Sequence, residues 1–449
     1  MKPSNSSIVA KVANFLIQTL NEGYIEELAK TTAFVKRQSK ITGYIFAMMM
    51  TFELRQQKAS SLEELSTRLG LEGIPISKQG LDNRFNESSV IFMKLLTENA
   101  LSSKLDRAQV LDNAIPFNRI MIKDSTVFQL PTTCSDKYVG CGGGASEAGI
   151  KIQYEYDLKC KEGINISAQP SRSPDNKHYL KDIQPNDLCL EDLGYFTLDH
   201  LGDIIDKEAY FLTRLKYGTT VFIKKNNQFE KLNLDMLVSK MKEGQIMELD
   251  VLLGQDKKVP ARLVLERVPN EVAAKKRRKL KMDKQNKRKT ISKGRLAFCD
   301  VNAYVTNACI KLLPTALIRT IYSLRWQIEI IFKTWKSIFN LDKVNPMKLH
   351  RFECLNYGTL LQIIICTKVF NYYKTILWNN SNIELSELKS MKCILSMLLH
   401  MKTHIKSGAI KRIKDLLKTS LNVLIQKCKK ERKKGLLTPM MIMNQLTLA

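Results

Sequence analysis

Acidic residues are in short supply in this chain. Asp and Glu number 44 against 71 Lys and Arg, which leaves a formal net charge of +27. An excess of this size favours a polyanionic partner, nucleic acid or an anionic membrane surface, over the alternative of a merely soluble basic protein. Long apolar runs are also missing. "YIFAMMMTF" and "LLQIIIC" are too short to cross a bilayer, so no membrane partner is expected. The first residues, "MKPSNSSIVAKVANFLIQTL", have no uninterrupted apolar core and no small-residue cleavage site, and read as an amphipathic helix instead of a signal peptide. No Cys-x-x-Cys pair occurs among the 10 cysteines, and the nearest two, Cys134 and Cys141, lack a zinc spacing. The expectation is free, mostly buried thiols in a reducing cytosol. His400 and His404 stand one helical turn apart, but no Glu adjoins them and no further ligand is in view, which argues against a metal there. "GCGGGASEAG" lacks the Gly-Lys-Ser/Thr of a phosphate-cradling loop and reads as a flexible turn or lid. There is no internal repeat.

What is present divides into three parts. With 449 residues and 44% hydrophobic content the chain can bury two or three domains. Residues 1–108 read as helical. Ser61 and Glu64 make a capping box, Leu62, Leu65 and Leu69 follow at helical spacing, and Gly70 and Gly73 break the helix. Ser77 can cap a second short helix whose free face offers Lys78, Gln79, Asn83 and Arg84. That pair resembles a helix-turn-helix, whose second helix enters the DNA major groove; a plain helical hairpin has the same pattern, and both readings stay open.

Residues 109–349 read as α/β. "RIMIKDST" is a short apolar run ending in Asp124, Ser125 and Thr126, and Ile150 to Asp157 alternate with a period of two before "INISAQP" returns the chain as a hairpin. Leu188 and Leu190 make a short strand ending at Asp192. Between about 218 and 294, "TVFIKK", "IMELDVLLG" and "ARLVLERV" look like an added β-subdomain. It closes on the basic run "KKRRKLKMDKQNKRK", which starts with Lys275, Lys276, Arg277 and Arg278. Such a run is solvated and mobile as a rule, and here it is also expected to grip phosphates. Residues 350–449 read as helices, with a second basic cluster, "KCKKERKK".

The stretch "IYSLRWQIEIIFKTWKSIF", residues 321–339, reads as one amphipathic helix. At about 100° per residue, Ile321, Leu324, Ile328, Ile331, Trp335, Ile338 and Phe339 form one broad apolar arc. Tyr322, Arg325, Glu329 and Lys336 fall within about 60° of each other on a separate stripe, with Lys333 beside them. The plain reading is a solvated face with an i, i+4 ion pair. The sharper one makes Glu329 a metal ligand, with Arg and Lys holding phosphate against the metal. A lone glutamate cannot hold Mg²⁺ for phosphoryl chemistry, but strand-end Asp124 and Asp192 supply two more carboxylates. Asp187 is the rival second aspartate; it precedes its strand's apolar positions instead of ending them.

These residues carry a resemblance. Tyr322, Arg325, Glu329 and Lys336 match, at every spacing, the Tyr-Arg-Glu-Lys signature of the DDE transposases of bacterial insertion sequences, the IS-four group. "RWQIEIIFKTWK" is similar to the family's wording around it, "KDST" and "EDLGYF" to its two aspartate blocks, and "YFLTRLK" and "YVTNA" to the segments between.

The resemblance implies an RNase H-like catalytic core with a β-rich insertion, flanked by helical N- and C-terminal domains. It implies that Asp124, Asp192 and Glu329 are catalytic and bind two divalent ions, Mg²⁺ or in its place Mn²⁺. Tyr322, Arg325 and Lys336 would contact phosphates at the transposon end. The activity implied is metal-dependent cut-and-paste transposition: binding of terminal inverted repeats on double-stranded DNA, strand cleavage, and transfer to target DNA. A homodimer on DNA at the nucleoid, within the cytoplasm, is expected, with the C-terminal helices as the dimer contact or simply as core. A non-catalytic regulator derived from a transposase, and a basic scaffold with structural carboxylates, are the competing readings; no member of the triad is missing. Some relatives release the element through a DNA hairpin, in which a flipped base needs an aromatic ring to stack on. The Trp that serves in one such relative falls on Asn302 here, so the stacking is expected from Tyr304, the nearest ring, or from another aromatic residue.

Overall fold

The computed structural model of the chain describes residues 5–53, 61–103, 105, 115–142, 146–175, 180, 182–226, 228–286, 290–431 and 437–446. The strands are β1 (Ile120–Leu130), β2 (Ala148–Asp157), β3 (Glu162–Pro170), β4 (Leu188–Glu191), β5 (Tyr210–Arg214), β6 (Val221–Lys225), β7 (Gln228–Lys231), β8 (Ile246–Leu253), β9 (Val259–Arg267) and β10 (Val301–Thr306). They form one sheet in the order β3-β2-β1-β4-β5-β10-β9-β8-β6-β7. β4 runs parallel to both β1 and β5, and every other pairing is antiparallel. A central strand with parallel neighbours is covered on both faces and so needs apolar residues on both. Leu188, Cys189 and Leu190 meet that need and are fully buried.

The expected β2–β3 hairpin is present. Its alternation has an unexpected meaning, however. The polar set of β2, Lys151, Gln153, Glu155 and Asp157, is as buried as the apolar set. A buried polar group must be paired: Lys151 and Gln153 donate to Asp175 behind the sheet, Glu155 accepts from Lys123 of β1, and Asp157 accepts from the N–H groups of Ile120 and Lys159.

The segment expected to be an added β-subdomain extends the same sheet: β9 pairs with β10, and β8, β6 and β7 follow outward. The basic run is not a mobile tail either. It belongs to the helix Asn270–Asn286, although residues 287–289 lie outside the described ones.

Helices cover one face of the sheet. Asn5–Thr19, Glu22–Thr31, Gly43–Met48, Leu62–Leu71, Lys78–Asp82 and Glu87–Ser102 precede it; Leu349–Ser381, Glu387–Lys406, Ile410–Lys427 and Pro439–Gln445 follow. The 33-residue helix Leu349–Ser381 is apolar nearly all round because it is enclosed nearly all round. Glu87–Ser102 packs along it, and Asn5–Thr19 packs on Ile410–Lys427. The two ends of the chain therefore share one continuous hydrophobic core with the sheet instead of forming separate flanking cores. Gly358 permits the closest crossing: a Cβ there would collide with the Met50 carbonyl oxygen. The expected boundary near residue 109 falls on 106–114, and parts of the glycine-rich loop and of the second basic cluster fall on 143–145 and 432–434, all outside the described residues. Among the described residues no helix is long and apolar enough to cross a membrane.

Candidate active site

β1 is longer than the sequence suggests. It runs on to Leu130, so Asp124 lies mid-strand instead of at the strand's end. What ends nearby is its neighbour. β1 pairs with β4 at Ile120–Leu188, Met121–Cys189 and Ile122–Leu190, and β4 stops at Glu191. Two residues beyond the Ile122–Leu190 pair, on each segment, come Asp124 and Asp192. Successive side chains on a strand alternate faces, so Asp124 shares the face of Ile122, the one the Glu329 helix covers. The opening where β4 leaves the sheet gives both aspartates access to solvent.

Residues 321–339 are not a single helix. Thr315–Ser323 ends in a tight turn, Leu324–Trp326, and a second helix, Gln327–Ser337, begins. The apolar arc still faces inward, with Ile321, Leu324, Ile328, Ile331 and Trp335 buried. The tightened turn presents Arg325 to the sheet. Its guanidinium donates to Asp124 Oδ2 at 3.3 Å and to Glu329 Oε1 at 2.8 Å. Tyr322 donates its hydroxyl to the Glu191 carbonyl oxygen at 3.2 Å, and Lys336 donates to the Val127 carbonyl oxygen at 3.1 Å. Three of the four residues on the stripe thus hold the helix against the strands that carry the aspartates.

The charges oppose one another at short range. Burial pushes the Asp124 carboxyl up to about 6; the Ser125 N–H and Arg325 work against that, while Asp192 and Glu329 add to it by repulsion. Burial works against the charge on Arg325, and Asp192, Glu329 and Asp124 more than restore it. Arg214, at the end of β5, donates to Asp192 Oδ1 at 3.2 Å. Each carboxylate thus has an arginine on it. With the arginines so placed, the described residues hold no cluster of three ligands close enough for a metal ion. The donor set nonetheless suits one. Three carboxylates supply only hard oxygen ligands, as Mg²⁺ and Mn²⁺ prefer, and the repulsion on Asp124 is what a divalent cation would relieve.

Other expected residues are placed differently. Asp187, the rival aspartate, is fully buried at the other end of β4, where Arg119 donates to both its carboxylate oxygens. Lys333 is exposed on the outer side of its helix. Lys78 and Gln79 are exposed on a helix of only five residues, and Asn83, exposed too, caps its C-terminal end. Arg84 is not on their free face. It turns inward, with its guanidinium 4.4 Å from the centre of the Phe34 ring and donating to the Ile41 carbonyl oxygen. In the basic helix, Lys275 and Arg278 are exposed. Lys276 instead donates to Asn302 Oδ1 at 2.7 Å, and Arg277 pairs with Asp300. Tyr304 is only 7% exposed, its ring 5.3 Å from that of Tyr322, and offers no face to a base.

Two residues of the site carry little signal in the sequence. Arg214 lies inside "YFLTRLK", where a charge just past three buried residues is the available sign. Trp326, in the tight turn beside Arg325, is 58% exposed, an unusual placement for the largest side chain.

A family model described as "Transposase DDE domain" matches residues 115–365, more than half of the chain. The chain belongs to the DDE transposases. It is 33% identical over 402 residues to the transposase for insertion sequence element IS231E of Bacillus thuringiensis subsp. finitimus, covering 85% of this chain and 84% of that one. It is 34% identical over 391 residues to the IS231F transposase of subsp. israelensis, covering 83% and 82%. It is 31% identical over 405 residues to the IS1151 transposase of Clostridium perfringens, covering 85% of each. A cryo-EM structure of a piggyBac transposase synaptic complex with hairpin DNA aligns with a TM-score of 0.45 and 13% identity over 95% of this chain and 88% of that one. This transposase is therefore an enzyme of insertion-sequence DNA recombination, and its family works with divalent metal ions.

Proposed function

We propose that this transposase excises and reinserts its element by a cut-and-paste route, with Asp124, Asp192 and Glu329 as the catalytic carboxylates. The observation that carries the reading is the register of β1 and β4, which brings Asp124 and Asp192 out in step beside a helix whose Arg325 already links Asp124 to Glu329. The strand order β3-β2-β1-β4-β5, in which β2 alone runs against β1, supports an RNase H-like core, and β6–β9 with their helices form its β-rich insertion.

Asp124, Asp192 and Glu329 would hold two divalent ions, Mg²⁺ or Mn²⁺, which when bound supply charge for in-line displacement at phosphorus. The chain's own groups do the rest. Arg325 and Arg214, already beside the carboxylates, are planar forks suited to two phosphate oxygens. Lys336 and Lys333 add point charges along the helix. Water attacks the scissile phosphorus and leaves a 5′-phosphate, while the bond to the 3′-oxygen breaks and that oxygen takes up a proton; the freed 3′-hydroxyl then attacks a phosphorus of target DNA, where the bond to the target's own 3′-oxygen breaks. The substrates are double-stranded terminal inverted repeats and target DNA; two ends must be brought together, so the working form is a homodimer on DNA at the nucleoid. The exposed Lys78, Gln79 and Asn83 are the end-recognition candidates.

The test is an end-labelled terminal-repeat substrate with Mg²⁺ or Mn²⁺. Wild type should nick it, and Asp124→Ala, Asp192→Ala and Glu329→Ala should bind it without nicking. Normal cleavage by any one of them removes that residue from the triad.

A further inference from the structure

The two aspartates are joined behind the sheet. Ser125, next to Asp124, alternates to the opposite face of β1, where its hydroxyl donates to Asp175 Oδ1 at 3.3 Å. Asp175 lies just after β3, and the same oxygen accepts from Lys151 Nζ at 2.9 Å and from Gln153 Nε2 at 3.2 Å. Gln153 pairs with Ser125 across the β1–β2 ladder. Its Oε1 accepts from the Tyr195 hydroxyl at 2.8 Å, and the Tyr195 N–H donates to the Asp192 carbonyl oxygen at 3.0 Å. At the near end, the Ser125 N–H donates to Asp124 Oδ1 at 2.8 Å. An unbroken hydrogen-bonded chain thus runs Asp124, Ser125, Asp175, Gln153, Tyr195, Asp192.

Burial makes the chain stiff. Gln153 and Tyr195 are each only 2% exposed. Only one orientation of the Gln153 amide serves both neighbours, since the flipped amide would set its oxygen against the Asp175 carboxylate. A strand pairing alone cannot set the separation of the aspartates, because the β1–β4 ladder ends at Ile122–Leu190, short of both.

We propose that Gln153, Asp175 and Tyr195 are positioning residues that set the spacing of Asp124 and Asp192 for a shared divalent cation. The proposal rests on the reading that these aspartates bind the ion. Groups that orient ligands from outside the coordination shell typically change metal affinity or activity by about 10–100-fold when altered.

The experiment compares Mn²⁺ binding to the full-length DNA-free protein, followed by the paramagnetic resonance signal of free Mn²⁺, in wild type, Tyr195→Phe, Gln153→Met and Asp124→Asn. Terminal-repeat affinity and thermal midpoint are measured beside it. Tyr195→Phe removes one oxygen and keeps the ring, so it guards against loss of fold. The expected result is Mn²⁺ binding weakened about tenfold or more in Tyr195→Phe and Gln153→Met, with Tyr195→Phe close to wild type in melting and in DNA affinity. If Asp124→Asn weakens Mn²⁺ binding and neither of the other two does, the positioning role is overturned and the metal reading stands. If Asp124→Asn also binds normally, both fall. A lowered midpoint with unchanged Mn²⁺ affinity in both variants overturns the proposal in favour of plain structural support.

Discussion

The ring of Tyr304, on β10, packs 5.3 Å from the ring of Tyr322. Tyr304 therefore supports the helix Thr315–Ser323, which leads into the turn that carries Arg325. Replacing it by Ala is expected to destabilise the fold by about 3–5 kcal/mol, as for other buried aromatic residues. Urea denaturation checks this, and a variant as stable as wild type would contradict it.

If the element leaves its donor through a hairpin, the stacking ring has to be an accessible one. Trp326 is exposed and adjoins Arg325. Trp326→Ala should lose the hairpin band on a denaturing gel while its melting stays near wild type, since base stacking on an aromatic ring is worth about 1–3 kcal/mol. A hairpin of normal yield from this variant would rule Trp326 out.

Arg325→Lys tests the fork. One ammonium cannot hold Asp124 and Glu329 and also grip two phosphate oxygens. Cleavage at saturating DNA should fall at least about tenfold, equivalent to about 1.4 kcal/mol in the barrier. Equal rates for the two proteins would show that a point charge suffices.

The basic helix should split in two under mutation. Neutralising Lys275 and Arg278 is expected to flatten the dependence of log affinity on log salt, by roughly 0.9 for each phosphate that is no longer neutralised, whatever the DNA sequence. Neutralising Lys276 and Arg277 should lower the thermal midpoint instead, because they pair with Asn302 and Asp300. Titrations at several salt concentrations, beside melting curves, separate the two pairs.

Arg84→Ala should cost about 2 kcal/mol, since it removes the packing of the guanidinium on Phe34 and its bond to Ile41. It should leave the preference for terminal repeat over random duplex unchanged, whereas Asn83→Ala and Gln79→Ala should reduce it. Competition gel shifts decide; a selective loss of preference in Arg84→Ala would return it to the DNA-facing set.

Much of this protein is local and so could be read directly. The Ser61–Glu64 capping box forms as written, because a cap depends on residues three apart. The period of two in Ile150–Asp157 makes a strand, and the spacing of Tyr322, Arg325, Glu329 and Lys336 places them on one stripe in spite of the turn between the two helices. The excess of basic charge is likewise a property of composition alone. What composition and period cannot carry is who faces whom. The polar side of β2 alternates like a solvent-facing edge, and only the chain crossing behind it makes it a buried relay to Asp175 and Tyr195. Arg84 and Lys276 look like free cations in their own helices; Phe34 and Asn302, some 50 and 26 positions away, turn them inward. Asp124 is one aspartate among many until β4 ends beside it and brings Asp192 out in step. Each of these depends on contacts between residues far apart in the chain, whose free energy comes from desolvation and pairing at a place that no short stretch of sequence specifies.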